Sequence, residues 1–348
     1  MDHKENYLRT VHFDRPDHII MTAVINSACW NAYPQEFLCE QMEKHPKLFP
    51  GFLRPQLPFV PQYGCNAIKD APYTDFFGCT WHTTTDGITG TVLGHPLENW
   101  EAFECYEAPD PEICDGLKLV DWNAFRAYIR SHPEQLHIGG LRHGHTFLQL
   151  CDIRGYENLM FDMADEDPRL FKLIKMVENF NLGLVNRMID AGVDGVAYGE
   201  DLGMQIGPML SPEHFRKYIM PSYRTLMKPA KDRDLLIHMH SDGDIRMLLG
   251  DILSAGVDVM NLQDLVNGID WIRDNLKGKV CIELDVDRQN ITRFGTPEQI
   301  DDLIREEVEK LGSPQGGLMF IHGLYPGTPM ENVEALYDAM ERYMGYFS

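Results

Sequence analysis

Residues 234–264, DLLIHMHSDGDIRMLLGDILSAGVDVMNLQD, decide the fold. Two short apolar runs, each closing on polar residues, flank an amphipathic stretch, which is the pattern of a strand, a crossover helix and a parallel strand. The beat repeats on either side, in LHIGGLRHGH (136–145), VDGVAYGED (193–201), KVCIELDVD (279–287) and GLMFIHGLYPG (317–327). Between them, SPEHFRKYIMPSYRTLM (211–227) and TPEQIDDLIREEVEKLG (296–312) open on Ser or Thr, then Pro, then Glu. That order supplies an N-cap, a proline at the first helical position and an acid in the first turn. The rhythm predicts an α/β protein, a (β/α)8 TIM barrel.

Residues 1 to about 130 are less regular, with many Pro, aromatic and turn residues, and are expected to form an elaborated N-terminal region. GITGTVLGHPL (87–97) reads as a hairpin with a Gly turn. No internal repeat or linker-like break divides the chain, so 1–348 is read as a single barrel domain.

With 44% hydrophobic and 24% charged residues, the composition is that of a packed globular protein. A net charge of −22 repels phosphate backbones and anionic lipid, which argues against nucleic-acid and membrane partners and leaves small molecules and proteins. No apolar run approaches the ~20 residues of a spanning helix, and MDHKENYLRT has no signal-peptide core, so a cytoplasmic location is expected. The eight cysteines are scattered singly and read as reduced thiols. Oligomeric state stays open.

In a parallel barrel the carboxyl ends of the strands form one rim, and polar residues there converge from distant parts of the sequence. Those residues are His143 and His145, Glu200 and Asp201, His238 and His240, Asn261, Gln263 and Asp264, Glu283, Asp285 and Asp287, and His322. In His238-Met239-His240 both imidazoles fall on one side of an extended strand, because side chains alternate with period two. With His322 they would make three ligands and leave an open position, as catalytic zinc requires. Glu283, or alternatively Glu200, is the candidate fourth ligand or a hydrogen-bond partner of the ligands. The alternative is a set of hydrogen-bonded histidines in a polar mouth.

Glu200, Asp201 and Asp285 are the candidate catalytic carboxylates, although Glu200 and Asp201 cannot both point inward from a regular strand. His145, Asn261, Gln263 and Tyr325 are the candidate substrate-binding residues.

Several segments resemble one family. GEDLGMQIGPMLSPEHFRKYIMPSYRTLM (199–227), LRHGHTFLQLCDIRGYENLMFDM (141–163), DFFGCTWHTTTDGITGTVLGHPLENW (75–100), the opening 234–264 stretch and GLYPGTPMENVEALYDAM (323–340) are similar to the uroporphyrinogen decarboxylase superfamily, in particular its corrinoid-dependent methyltransferase branch. The resemblance implies the same barrel. The decarboxylase branch binds substrate carboxylates with an Arg-rich N-terminal segment that has no counterpart here. The methylcobamide:thiol methyltransferases hold zinc with a His-x-Cys pair and a distant Cys. At the matching positions this chain has His238, His240 and His322, so the resemblance implies a zinc site with imidazole in place of thiolate.

That exchange leaves more positive charge on the metal, making it a stronger Lewis acid and a bound thiolate a weaker nucleophile. The implied function is metal-dependent methyl transfer between a small-molecule donor or acceptor, including O-demethylation, and a corrinoid carried by a partner protein. The alternatives are a metal-free decarboxylase and a non-catalytic corrinoid- or tetrapyrrole-binding barrel. An amidohydrolase also uses His-x-His, but on its first strand, whereas here the pair comes late.

Overall fold

The computed structural model describes residues 2–348. Seven strands belong to one sheet: β1 (Ile20–Ile25), β2 (Ile138–Gly140), β3 (Gly195–Asp201), β4 (Leu236–Asp242), β5 (Val259–Gln263), β6 (Cys281–Asp285) and β7 (Leu318–Leu324). Six of these fall within the runs expected from sequence. The seventh, β1, lies in the stretch read as irregular elaboration, yet it pairs in parallel with β7 along its whole length, Ile20 opposite Met319 through Ile25 opposite Leu324. Its sequence, IMTAVI, is too short and too uniformly apolar to show alternation, so only its neighbours mark it as a strand. Seven regular strands among the described residues stand where eight were expected.

The chain gathers into two compact units. The first comprises the chain up to Asp70, Thr83–Thr89 and Asn261–Ser348, and in it the neighbouring strands run β1, β7, β6, β5. The second comprises Ala71–His82 and Gly90–Met260, with the order β4, β3, β2. The boundary falls inside β5, after Met260.

In the second unit β3 and β4 lie side by side in parallel, with Ala197 opposite His238, Gly199 opposite His240 and Asp201 opposite Asp242. Val196, Tyr198, Glu200, Ile237, Met239 and Ser241 occupy the other face and are buried, whereas the first set is partly exposed. One face therefore packs under helices and the other is open at its polar end.

Helix starts follow the sequence signals. Ser211 accepts a hydrogen bond from the His214 amide at 3.1 Å, and Thr296 and Gln299 exchange bonds as a capping box at the head of the helix Pro297–Leu311. The expected hairpin within 87–97 differs: Thr91–Gly94 pairs antiparallel with Thr80–His82, so its partner strand comes before the Gly-rich turn. Beside this small sheet, Arg142 reaches Asp75 at 3.3 Å and Asp152 at 2.5 Å and lies over the Trp81 ring, anchoring the residue that precedes His143. No helix among the described residues is long and apolar enough to cross a membrane.

The loops that leave β3 and β4 touch through glycine. Gly243 has φ +80°, and a Cβ on it would stand 2.1 Å from the Gly203 carbonyl carbon. Gly250 lies in a helix with open space around it. Gly243→Ala is therefore expected to lower the thermal midpoint measured by circular dichroism, and Gly250→Ala to leave it unchanged or raise it.

Candidate metal centre

The open face of β3 and β4 carries the site. Among the described residues, His143, Asp201 and His240 are the group of His, Cys, Asp and Glu whose ligand atoms all lie within 4.8 Å of one another. The Asp201 Oδ1 lies 3.1 Å from His143 Nε2 and 3.6 Å from His240 Nε2, and accepts the Asp242 amide at 3.3 Å. The two imidazole rings stand 5.3 Å apart. His143 comes from the loop after β2 and lies against β3 because Gly199 has no side chain: a Cβ there would be 3.2 Å from the His143 ring. The Gly144 amide donates to the Gly199 carbonyl at 2.8 Å and fixes that approach.

Burial would raise the Asp201 carboxyl, but hydrogen bonds from His143 and His240, and the charge of both rings, outweigh it and hold the group below the usual carboxylate range. An ionised carboxylate between two imidazoles is a donor set for a divalent cation such as zinc, and three protein donors leave a coordination position open.

The other carboxylate of the pair is spent on structure. Glu200 is fully buried and accepts backbone N–H bonds from Thr146, Phe147 (3.0 Å) and Leu148 (3.3 Å), at the head of the helix Phe147–Arg154, whose own N-cap residue, Thr146, makes no side-chain capping bond. Burial pushes its carboxyl up to about 7 against the pull of those amides. Glu200, expected to be catalytic, is placed by the structure as a helix cap supplied by a neighbouring strand.

His145, expected to bind substrate, is placed inside the core. Its ring is buried against Tyr198 and Tyr223, Nδ1 meets the Thr146 hydroxyl at 2.6 Å, and burial pushes its pKa down to about 3. It is a neutral core residue.

In the first unit, Glu283 stands opposite Met319 and Asp285 opposite Ile321. Strand alternation therefore sets His322 on the other face from Glu283, and the two do not share an ion as the expected ligand set would require. His322 is buried, its ring nitrogens meet no donor or acceptor in hydrogen-bond geometry, and burial with the nearby Arg288 charge pushes its pKa down to about 4. Asn261 is buried and donates to the Glu283 carbonyl at 2.9 Å, and Gln263 is buried as well, so both sit within the packed strand rather than on an open surface. Asp285 pairs with Arg288 at 2.7 Å, and Arg288 lies over the half-exposed ring of Tyr325. Of the expected residues, Asp201 and His240 thus meet, and His238 shares their face two residues earlier. Sequence reading placed His143 among the polar rim residues without assigning it a role and did not single out Arg288, since neither loop has a pattern that fixes its direction.

The sequence profile of the uroporphyrinogen decarboxylase (URO-D) family matches residues 76–343, and the chain belongs to that family. It is 22% identical over 259 residues to the uroporphyrinogen decarboxylase of Alkalilimnicola ehrlichii, covering 73% of this chain and 69% of that one. The Prochlorococcus marinus uroporphyrinogen decarboxylase is 25% identical over 180 residues, 51% of this chain and about half (49%) of that protein. Among solved structures, a methyltransferase from Methanosarcina mazei superposes with a TM-score of 0.65 at 18% identity, covering 98% of both chains, and shows the shared β/α-barrel fold.

The division of labour between the adjacent carboxylates is testable by thermal unfolding. Glu200→Ala leaves three buried amides without their acceptor and is expected to cost on the order of 3 kcal/mol. Asp201→Ala, at the open end, is expected to leave the melting midpoint within a few degrees of wild type.

Proposed function

We propose that this chain is a metal-dependent methyltransferase that moves a methyl group between a small molecule and a corrinoid carried by a partner protein. The observation that carries the reading is the convergence of His143, Asp201 and His240 at the open end of β3 and β4. The family membership and the fold shared with an archaeal methyltransferase support it. The donor set fits zinc: two imidazoles and one ionised carboxylate, aimed at common space and open on one side.

Bound zinc would supply Lewis acidity, lowering the pKa of an acceptor thiol or polarising the oxygen of a methoxy donor. The protein's part is to hold the donors. Asp201 would balance the ion's charge, and its Oδ1, near both Nε2 atoms, holds the two imidazoles turned to one point. The Asp242 amide and the Gly199–Gly144 contact keep Asp201 and His143 from swinging away. Two imidazoles and a carboxylate favour a hard oxygen substrate over a thiol more than a thiolate-rich set would, so the methoxy direction is the preferred one. The strongly acidic chain suits a small-molecule substrate in the cytoplasm rather than a polycarboxylated tetrapyrrole. Decarboxylation of such a tetrapyrrole is the second reading, favoured by the names of the curated relatives.

Elemental analysis of purified wild type, His143→Ala, Asp201→Ala, His240→Ala and His322→Ala tests the metal. About one zinc per chain is expected in wild type and in His322→Ala, with strong loss in the other three. A chain that takes up no metal, or loses it only in His322→Ala, would contradict this assignment. Methyl transfer is followed by the absorbance change of free cobalamin with methoxy-aromatic donors and with simple thiols. Conversion of uroporphyrinogen with no methyl transfer would instead establish the second reading.

A further inference from the structure

Away from the metal centre, in the first unit, three carboxyl groups meet inside the protein. Glu307, on the helix Pro297–Leu311, is fully buried, and no N–H or O–H of another described residue reaches either of its oxygens. The side chain that faces it is another carboxyl, that of Asp264, just past the end of β5 and also buried. Two carboxylates cannot hydrogen-bond to each other without a proton, and two buried like charges in contact cannot both stay ionised.

Asp264 already serves as an acceptor on both oxygens, from the Leu265 amide and, at 2.7 Å, from the Asp287 amide. Asp287 in turn accepts from the amides of Gln289, Asn290 and Thr292, while the Thr292 hydroxyl donates back to the Asp287 carbonyl at 2.6 Å. This chain of bonds organises residues 287–292, the segment that carries Arg288 and its bond to Asp285.

We propose that Glu307 is protonated in the folded protein and donates to Asp264, forming a proton-dependent clamp that holds the 287–292 segment and with it Arg288. The groups that face Glu307 are acids, Asp264 and Asp287 across from it and Glu306 beside it. The nearby cations are committed elsewhere at the surface: Lys310 to Asp270 and Glu306, Arg273 to Asp270 and Asp274, Arg305 to Asp302, and Arg342 to Asp301. Burial, then the Asp264 charge, raise the Glu307 carboxyl well above the ordinary glutamate range. For an acid raised on folding, the contribution is whole at acid pH and is lost as pH climbs from the ordinary glutamate value through the folded one. The segment is therefore ordered below that range and loosens above it.

Glu307→Gln tests the clamp, because an amide donates to Asp264 without needing a proton. Hydrogen exchange of the 287–292 amides, corrected for intrinsic rates, is followed from pH 5 to pH 9 in the full chain. Equal protection is expected at the acid end, with wild type falling behind Glu307→Gln by up to about tenfold per pH unit as pH rises. Asp264→Asn, which removes the second charge, is expected to flatten the wild-type slope. A wild-type-to-variant ratio that does not change with pH, or a Glu307→Gln chain that fails to fold, would overturn the proposal. Because the readout is local protection, its outcome is independent of whether the protein transfers methyl groups.

Discussion

The two-residue alternation of side chains along a β-strand is the constraint on which this protein's chemistry rests. At the end of β3 it separates two consecutive carboxylates into different environments. Glu200 turns under the helices, where it caps the head of Phe147–Arg154, and Asp201 turns to the open face between two histidines. On β4 the same alternation sends Met239 and Ser241 inward and leaves His238, His240 and Asp242 on the Asp201 side. The buried carboxylate builds the scaffold and the open one is free to meet a cation. Exchanging their order in the sequence would bury the carboxylate that lies between the two histidines and expose the cap.

The supporting contacts act alike, each removing freedom from the side chains on the open face or from the segments that carry them. Gly199 admits His143, and Gly203 and Gly243 press the two following loops together. Arg142, stretched between Asp75 and Asp152, ties the segment before His143 to the small antiparallel sheet. A part-buried arginine shared by two carboxylates is costly to break once formed, since removing one partner strands charge in a poor solvent. Positioning therefore comes from the N-terminal elaboration as well as from the barrel strands.

Much of this was legible in sequence, and what was not has identifiable causes. β3 to β7 announce themselves because each apolar run ends on polar residues that have little use except at a rim, and the Ser-Pro-Glu and Thr-Pro-Glu starts mark helices by local capping chemistry. β1 was hidden because IMTAVI lacks alternation and lies in a stretch without the strand-helix beat of the later chain. The rule that Glu200 and Asp201 cannot both face inward was available from sequence, but which of them turned in depended on the register of β3 against β4. The same holds for His322, whose face follows from its pairing with β1 and β6 rather than from its own neighbours. His143 was placed at the rim but given no role, because it sits in a loop, where no period links sequence position to direction.

Anomalous scattering from a zinc-loaded crystal, recorded on both sides of the zinc absorption edge, tests the central claim most directly. One strong peak bonded to His143, Asp201 and His240, at about 2.0–2.2 Å from nitrogen and oxygen donors, is the expected result. A peak bonded to His322, or no ordered peak on the open face of β3 and β4, would contradict the account.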